Sequence, residues 1–144
     1  MNDKDLPLEE ENQANEASDE LGIETLIDFI KNGDHEYLTA QNRLCFAIIA
    51  RIYRRLRQGY RFEAIRISEG EMIVNGNHRY IAHKLAKVEI EVIPATRAHT
   101  DQPRSFKEIN IDEKQDWDAN HPLTKKYCTD HFLVKENYVK FKTK

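Results

Sequence analysis

The 144-residue chain contains no apolar run that approaches the roughly 20 residues needed to cross a bilayer. It also lacks an opening basic-then-apolar segment, so we expect neither a membrane span nor a secretory signal. Cysteine occurs twice, as Cys45 and Cys128. Two cysteines are too few for a disulfide scaffold, which makes a reducing, cytoplasmic compartment the expected location.

Acidic residues are absent from one long stretch of the chain and concentrated in another. Residues 1–36 hold 12 acidic residues against two lysines, a local charge of −10. Because the net charge is only −3, the remaining residues carry +7. The first 17 residues also lack aromatic and β-branched side chains, so they cannot bury enough surface to offset the entropy of ordering. We predict a disordered acidic tail over 1–17 and a single domain over 18–144.

Six arginines and no acidic residue occur between Tyr37 and Phe62. Clustered arginines bind polyanions well because they release condensed counterions. Three of them, Arg51, Arg54 and Arg55, are therefore candidate nucleic-acid-binding residues. Two simpler interpretations remain: a charged outer helix face is ordinary, and cations near a helix C-terminus favour the helix dipole.

Apolar spacing predicts a succession of helices and short strands. One helix begins near Ser18 and stops at Asn32-Gly33, and a second follows Thr39 as its N-cap. The later pattern predicts, in order, a strand over 61–67, a hairpin turn over 68–71, a strand over 72–74, a helix, a strand over 88–93 and a strand over 106–111.

The polar turn Asn75-Gly76-Asn77, followed at once by His78 and Arg79, is the most distinctive local feature. Glycine accepts positive φ freely, and a helix N-terminus presents unpaired N–H groups and partial positive charge. A guanidinium added to such a turn makes a good anion site. All five residues are candidate phosphate-binding residues, although a plain turn before a solvated helix would show the same local pattern.

This segment resembles the ParB/sulfiredoxin superfamily, in which a strand leads to a Gly-x-His-Arg-type loop, an alanine-containing helix and a strand ending near Ile-Pro. The matching residues are Gly76, His78, Arg79, Ala82, Leu85 and Val92-Ile93-Pro94. The resemblance covers roughly residues 52–96. It implies the superfamily's α+β fold, a small mixed sheet packed with helices, together with a phosphate-binding loop, without selecting one activity.

Members of the superfamily differ at this loop. Sulfiredoxins place their catalytic cysteine where this chain has Asn77, and an amide cannot act as that thiolate, so sulfiredoxin activity is excluded. Other members bind cytidine triphosphate, act as ADP-dependent kinases or are described as nucleases. The resemblance thus implies a nucleotide or phosphorylated ligand with Mg²⁺. Phosphoryl transfer or phosphodiester hydrolysis would use His78 and Glu71 as acid and base.

Two further hypotheses belong to other functional classes. The arginine-rich helix over 43–61 would suit a noncatalytic DNA- or RNA-binding module, and a vestigial loop would suit a protein-interaction adaptor. Near the C-terminus, His121, Cys128 and His131 have no recognised zinc spacing, so we predict no metal site there. The sequence does not determine the oligomeric state.

Overall fold

The computed structural model describes residues 20–117. The predicted tail over 1–17 and the group His121, Cys128 and His131 lie outside these residues. In chain order the elements are α1 (Ile23–Asn32), β1 (Leu38–Thr39), β2 (Arg43–Cys45), α2 (Phe46–Arg57), β3 (Ile65–Ser68), β4 (Met72–Asn75), α3 (Asn77–Ala86), β5 (Val92–Pro94), a 3₁₀ helix (Phe106–Glu108) and β6 (Asn110–Asp112).

The main sheet has four strands in the order β1-β4-β3-β5. Strands β3 and β4 form an antiparallel hairpin in which Ser68 lies opposite Met72, whereas β1 pairs with β4 in parallel and β5 pairs with β3 in parallel. The helix α3 connects β4 to β5, so the chain enters α3 from the middle of the sheet. This arrangement confirms the predicted α+β class with a small mixed sheet.

A second, two-stranded sheet pairs β2 with β6 in parallel, with Leu44 opposite Ile111. Because β2 leads directly into α2, this pairing brings the segment after β6 against the start of that helix. The Cys45 Sγ donates to the Gln115 carbonyl at 3.3 Å. Residues 112–117 therefore lie beside α2 and α3 although they are distant in sequence.

The core lies between the helices and the main sheet. Helix α2 buries Ile48, Ile49, Ile52 and Leu56 along one side, as its helical spacing predicted. Tyr80 and Phe106 are fully buried, with ring centroids 5.1 Å apart. Within residues 20–117, no helix has the length and apolar character that a membrane crossing requires.

Several predicted element boundaries are wrong: α1 begins at Ile23 and not near Ser18, and β3 begins at Ile65 and not at residue 61. Helix α2 begins at Phe46, because the residues after Thr39 include strand β2. Thr39 itself belongs to β1, where its N–H donates to the Arg104 carbonyl, so it is not an N-cap. Strand β5 begins only at Val92, and the expected strand over 106–111 is a 3₁₀ helix followed by β6. For α2, β5 and β6, long-range strand pairing overrides local propensity.

Candidate functional site

The bend between β4 and α3 is built around Gly76. This glycine adopts φ 105° and ψ 26°, the left-handed region, at the N-cap of α3. The first bond of the helix runs from the Tyr80 N–H to the Gly76 carbonyl at 2.8 Å. Gly76 has no side chain, so the N-cap residue itself supplies no acceptor for the N–H groups of the first turn.

Arg79 holds this bend from inside the protein. Its side chain returns to the turn, where Nη2 donates to the Asn75 Oδ1 at 2.9 Å, and Nη1 donates to the Glu63 and Ala64 carbonyls at 2.9 and 3.3 Å. The residue is 3% exposed. Its guanidinium thus ties β4 to the segment before β3, which differs from the predicted direct contact with phosphate oxygens.

Burial lowers the pKa of Arg79 to about 10, against a weaker opposing effect of Glu63. The group therefore stays protonated at neutral pH. A full positive charge lies directly beneath the bend, and an Nη2 atom would be 3.0 Å from a Cβ built on Gly76.

Asn77 and His78 make inward hydrogen bonds to the segment between β1 and α2. The Thr39 hydroxyl donates to the Asn77 Oδ1 at 2.6 Å. The Cys45 N–H donates to the His78 Nε2 at 3.0 Å. Both side chains fix the start of α3 against the β1–β2 region, and in this structure neither projects from the bend as a phosphate ligand.

His78 is a hydrogen-bond acceptor and not a proton donor at this nitrogen. Although the residue keeps some solvent exposure, burial of its ring, helped by the charge of Arg79, lowers the pKa to about 4. A neutral ring suits the bond from Cys45, since a protonated Nε2 could not accept it. This lowered pKa does not favour the predicted role as general acid near neutral pH.

The second predicted catalytic residue, Glu71, lies at the other end of β4. It is exposed, adopts φ 64° and accepts a bond from the Leu38 N–H through its carbonyl. Four strand residues separate Glu71 from the bend, a distance of roughly 13 Å. The structure does not bring Glu71 and His78 together, as the predicted acid–base pair would require.

No known family model, curated protein or solved structure matches this chain. The ParB/sulfiredoxin resemblance therefore stays a prediction that depends on the loop residues. Within residues 20–117, no group of three or more His, Cys, Asp or Glu side chains is arranged to hold a metal ion.

Trp117 packs beside the bend, which the sequence did not predict. Its ring lies edge-on to His78 with centroids 5.5 Å apart, and the Arg43 guanidinium lies 5.5 Å from its centroid. The indole N–H donates to the Asp112 Oδ2 at 2.8 Å. The only signal available in the sequence was that this is the single tryptophan of the chain.

The three arginines predicted to bind nucleic acid do come together. With Gln58 and Tyr60, they line a hollow of about 270 Å³ at the end of α2, which we call the arginine hollow. Arg51 forms a two-pronged ion pair with Asp116, both contacts being 2.8 Å. The charge of Arg51 is therefore compensated by a carboxylate that lies far away in sequence. The arginine-rich surface is thus less uniformly positive than predicted.

The neutral state of His78 predicts acid sensitivity. Because the unfolded chain takes up this proton near pH 6.5 and the folded protein only near pH 4, stability is lost as the pH falls through that window. Between pH 7 and pH 4.5 the loss from His78 is about 2 kcal/mol. Burial lowers the pKa values of His35 and His83 as well, which adds in the same direction. Denaturant unfolding followed by Trp117 fluorescence at pH 7 and pH 4.5 measures the effect.

A matched pair of variants tests whether His78 causes this loss of stability at low pH. His78→Gln keeps an acceptor for the Cys45 N–H but cannot be protonated, so its stability is expected to depend less on pH. His99 lies on an exposed loop, and His99→Gln is expected to follow the wild-type pH dependence. Equal pH dependence in His78→Gln and the wild type would contradict the buried neutral state.

Proposed function

We propose that this chain is a phosphate-binding domain of the ParB/sulfiredoxin type, which binds a nucleotide or another phosphorylated ligand at the start of α3. The main-chain N–H groups of Asn77, His78 and Arg79 are the proposed contacts. One observation carries the proposal: the helix starts at a left-handed glycine, which supplies no side-chain cap of its own. Such an end combines directed donors with the positive end of the helix dipole.

Arg79 supports this function as a fixed charge and not as a direct ligand. Its guanidinium is held by three protein oxygens and remains protonated at neutral pH. A charge that is already fixed in place attracts an anion, and no side chain loses conformational entropy when the anion binds. The same bonds fix the peptide groups of the bend, so the main-chain donors are in place before the ligand arrives.

The proposal is one of binding, because the described residues supply no acid–base pair at the bend. Mg²⁺ would come with a nucleotide, coordinated by its phosphates, since residues 20–117 offer no carboxylate cluster for it. Asn75 contributes a neutral amide oxygen that Arg79 already engages. Phosphoryl transfer would require groups beyond those that the bend presents.

Asn75→Asp tests the proposal without removing the support of the bend. The carboxylate still accepts from the Arg79 Nη2, so the fold should be retained. A negative charge beside the site should weaken binding of inorganic phosphate, or of nucleotides without magnesium, about tenfold. For the wild type, a ligand at about 100 times its Kd should stabilise the protein by about 2.7 kcal/mol, measured by thermal shift across a nucleotide panel with and without magnesium.

Gln102→Glu is the matched control, because it makes the same amide-to-carboxylate change on an exposed loop after β5. It should leave phosphate binding unchanged. The proposal fails if no phosphate compound stabilises the wild type, or if Gln102→Glu weakens binding as much as Asn75→Asp does.

A further inference from the structure

Within the described part of the chain, strand β5 lies at an edge of the main sheet and pairs with β3 on one side. The Ile65 N–H donates to the Glu91 carbonyl at 2.9 Å. Further along, the Ala95 N–H donates to the Ile67 carbonyl, also at 2.9 Å. Because the main-chain groups of successive strand residues point in opposite directions, the N–H and carbonyl of Val92 point away from the sheet.

Exposed apolar side chains are concentrated at this edge. Of the four large apolar residues that are exposed within residues 20–117, three lie here, at 36%, 40% and 37% exposure: Val88, Val92 and Ile93. Val92 lies opposite Ile65, and Ile93 lies opposite Arg66. An edge strand that presents both main-chain groups and apolar side chains is a template for another strand.

Two charged side chains beside the edge lack a partner of opposite charge within residues 20–117. Arg66 and Glu91 are both exposed, and neither side chain forms a hydrogen bond or an ion pair there. The nearest resolved effect on charge is unfavourable, since Arg66 repels the positive charge of Arg79. A strand that added to β5 and carried a carboxylate toward Arg66 would therefore be favoured.

We propose that a second copy of this chain pairs with this edge, β5 against β5 in the antiparallel direction, about a two-fold axis at Val92. The two Val92 residues lie opposite each other and exchange two N–H···O=C bonds. Ile65 and Val92 of one copy then continue into Val92 and Ile65 of the other, which forms an apolar row across the joined sheet. The inference does not depend on phosphate binding at the bend.

The same register pairs opposite charges between the two copies. Residues 91 and 93 are equally far from the axis at 92, so Glu91 of each copy lies opposite Ile93 of the other. Arg66 lies on the far side of that Ile93, on the same face of the sheet. The Cα atoms of Arg66 and the second copy's Glu91 are then two strand spacings apart, roughly 10 Å, which these long side chains can bridge. A symmetric dimer makes this ion pair twice, which favours a second copy over an unrelated strand.

Sedimentation velocity of the full chain over roughly 5–500 µM tests the inference. A three-residue strand gives a small interface, so we expect a weak dimer. The weight-average mass should rise with concentration from the monomer's 17.0 kDa toward twice that value. Glu91→Arg and Arg66→Glu should each weaken dimerisation at least tenfold, because positions 66 and 91 then carry like charges in both contacts.

Mixing the two charge variants shows whether the contact is between copies. In an equimolar mixture of Glu91→Arg and Arg66→Glu, each position 66 can face a position 91 of opposite charge, so dimers should form again. A contact within one copy would not be restored by mixing. Glu113→Arg is the matched control, because it makes the same change at an exposed residue after β6, and it should dimerise as the wild type does.

Oxidation with copper phenanthroline tests the register. Val92→Cys should give a disulfide-linked dimer, because opposite residues of such a pair have Cα atoms about 5.5 Å apart. Val88→Cys replaces a similarly exposed valine that lies away from the axis, so it should stay monomeric. Both variants carry Cys128→Ser to remove a native thiol. The inference fails if the wild type stays at 17.0 kDa throughout, if mixing restores nothing, or if both cysteine variants cross-link equally.

Discussion

Replacing Gly76 with alanine is expected to lower the free energy of unfolding by about 3 kcal/mol. The new Cβ would lie 2.5 Å from the Ile65 Cγ2 and 2.9 Å from its Cβ, in a backbone conformation with φ 105°. Left-handed strain costs about 1–2 kcal/mol for a residue with a Cβ, and overpacking a filled core costs about 1–3 kcal/mol. Denaturant unfolding of the variant and the wild type measures the difference.

Gly70→Ala separates these two contributions. Gly70 also has positive φ, at 79°, but a Cβ built there meets no atom within 4 Å. Only the backbone strain remains, so a loss of about 1 kcal/mol is expected. Equal losses in Gly76→Ala and Gly70→Ala would show that Ile65 does not constrain the bend.

The difference expected between Gly76→Ala and Gly70→Ala also bears on the proposed function. Ile65 belongs to β3, which lies beside β4 in the sheet, so the bend is pressed against the sheet and cannot move away from an added methyl group. The N–H groups of α3 are therefore fixed relative to the sheet. We expect Gly76→Ala to lose phosphate binding along with stability, whereas Gly70→Ala should retain phosphate binding.

Local sequence signals predicted the frame of this site correctly. The Asn-Gly turn, the hairpin over 68–71 and the helix after the bend depend on residues within a few positions of one another, and all three are present. Glycine at positive φ and period-two alternation are effects of this short range. They fix where the chain turns and which element follows.

Local signals did not predict which atoms the side chains contact. Arg79 reaches carbonyls at Glu63 and Ala64, 16 and 15 residues away, and Arg51 pairs with Asp116 across 65 residues. A guanidinium offers the same donors to a phosphate as to a protein oxygen, so its residue type cannot distinguish these partners. For the same reason Thr39 suggested an N-cap, whereas its hydroxyl bonds the Asn77 side chain.

Replacing Arg79 with methionine is expected to destabilise the protein by about 3–5 kcal/mol. The change keeps the bulk of the side chain but removes every donor to the Glu63 carbonyl, the Ala64 carbonyl and the Asn75 Oδ1. Leaving a buried acceptor without a donor costs about 1–3 kcal/mol, and three acceptors lose theirs here. Arg79→Lys keeps the charge but cannot form the fork, so it should fall between methionine and the wild type. Chemical denaturation provides the measurement.

Arg66→Met is the control. Arg66 is an exposed arginine on β3, and its like charge repels that of Arg79. Its stability should stay within about 0.5 kcal/mol of the wild type. If Arg79→Met were equally mild, the guanidinium would not be holding the bend, and direct contact with a bound phosphate would again be the better account of this residue. If the large loss is found, an Arg79 variant that fails to bind phosphate says nothing about direct contact, because the loop itself has lost its support. Asn75→Asp, which leaves that support in place, is then the variant that separates binding from folding.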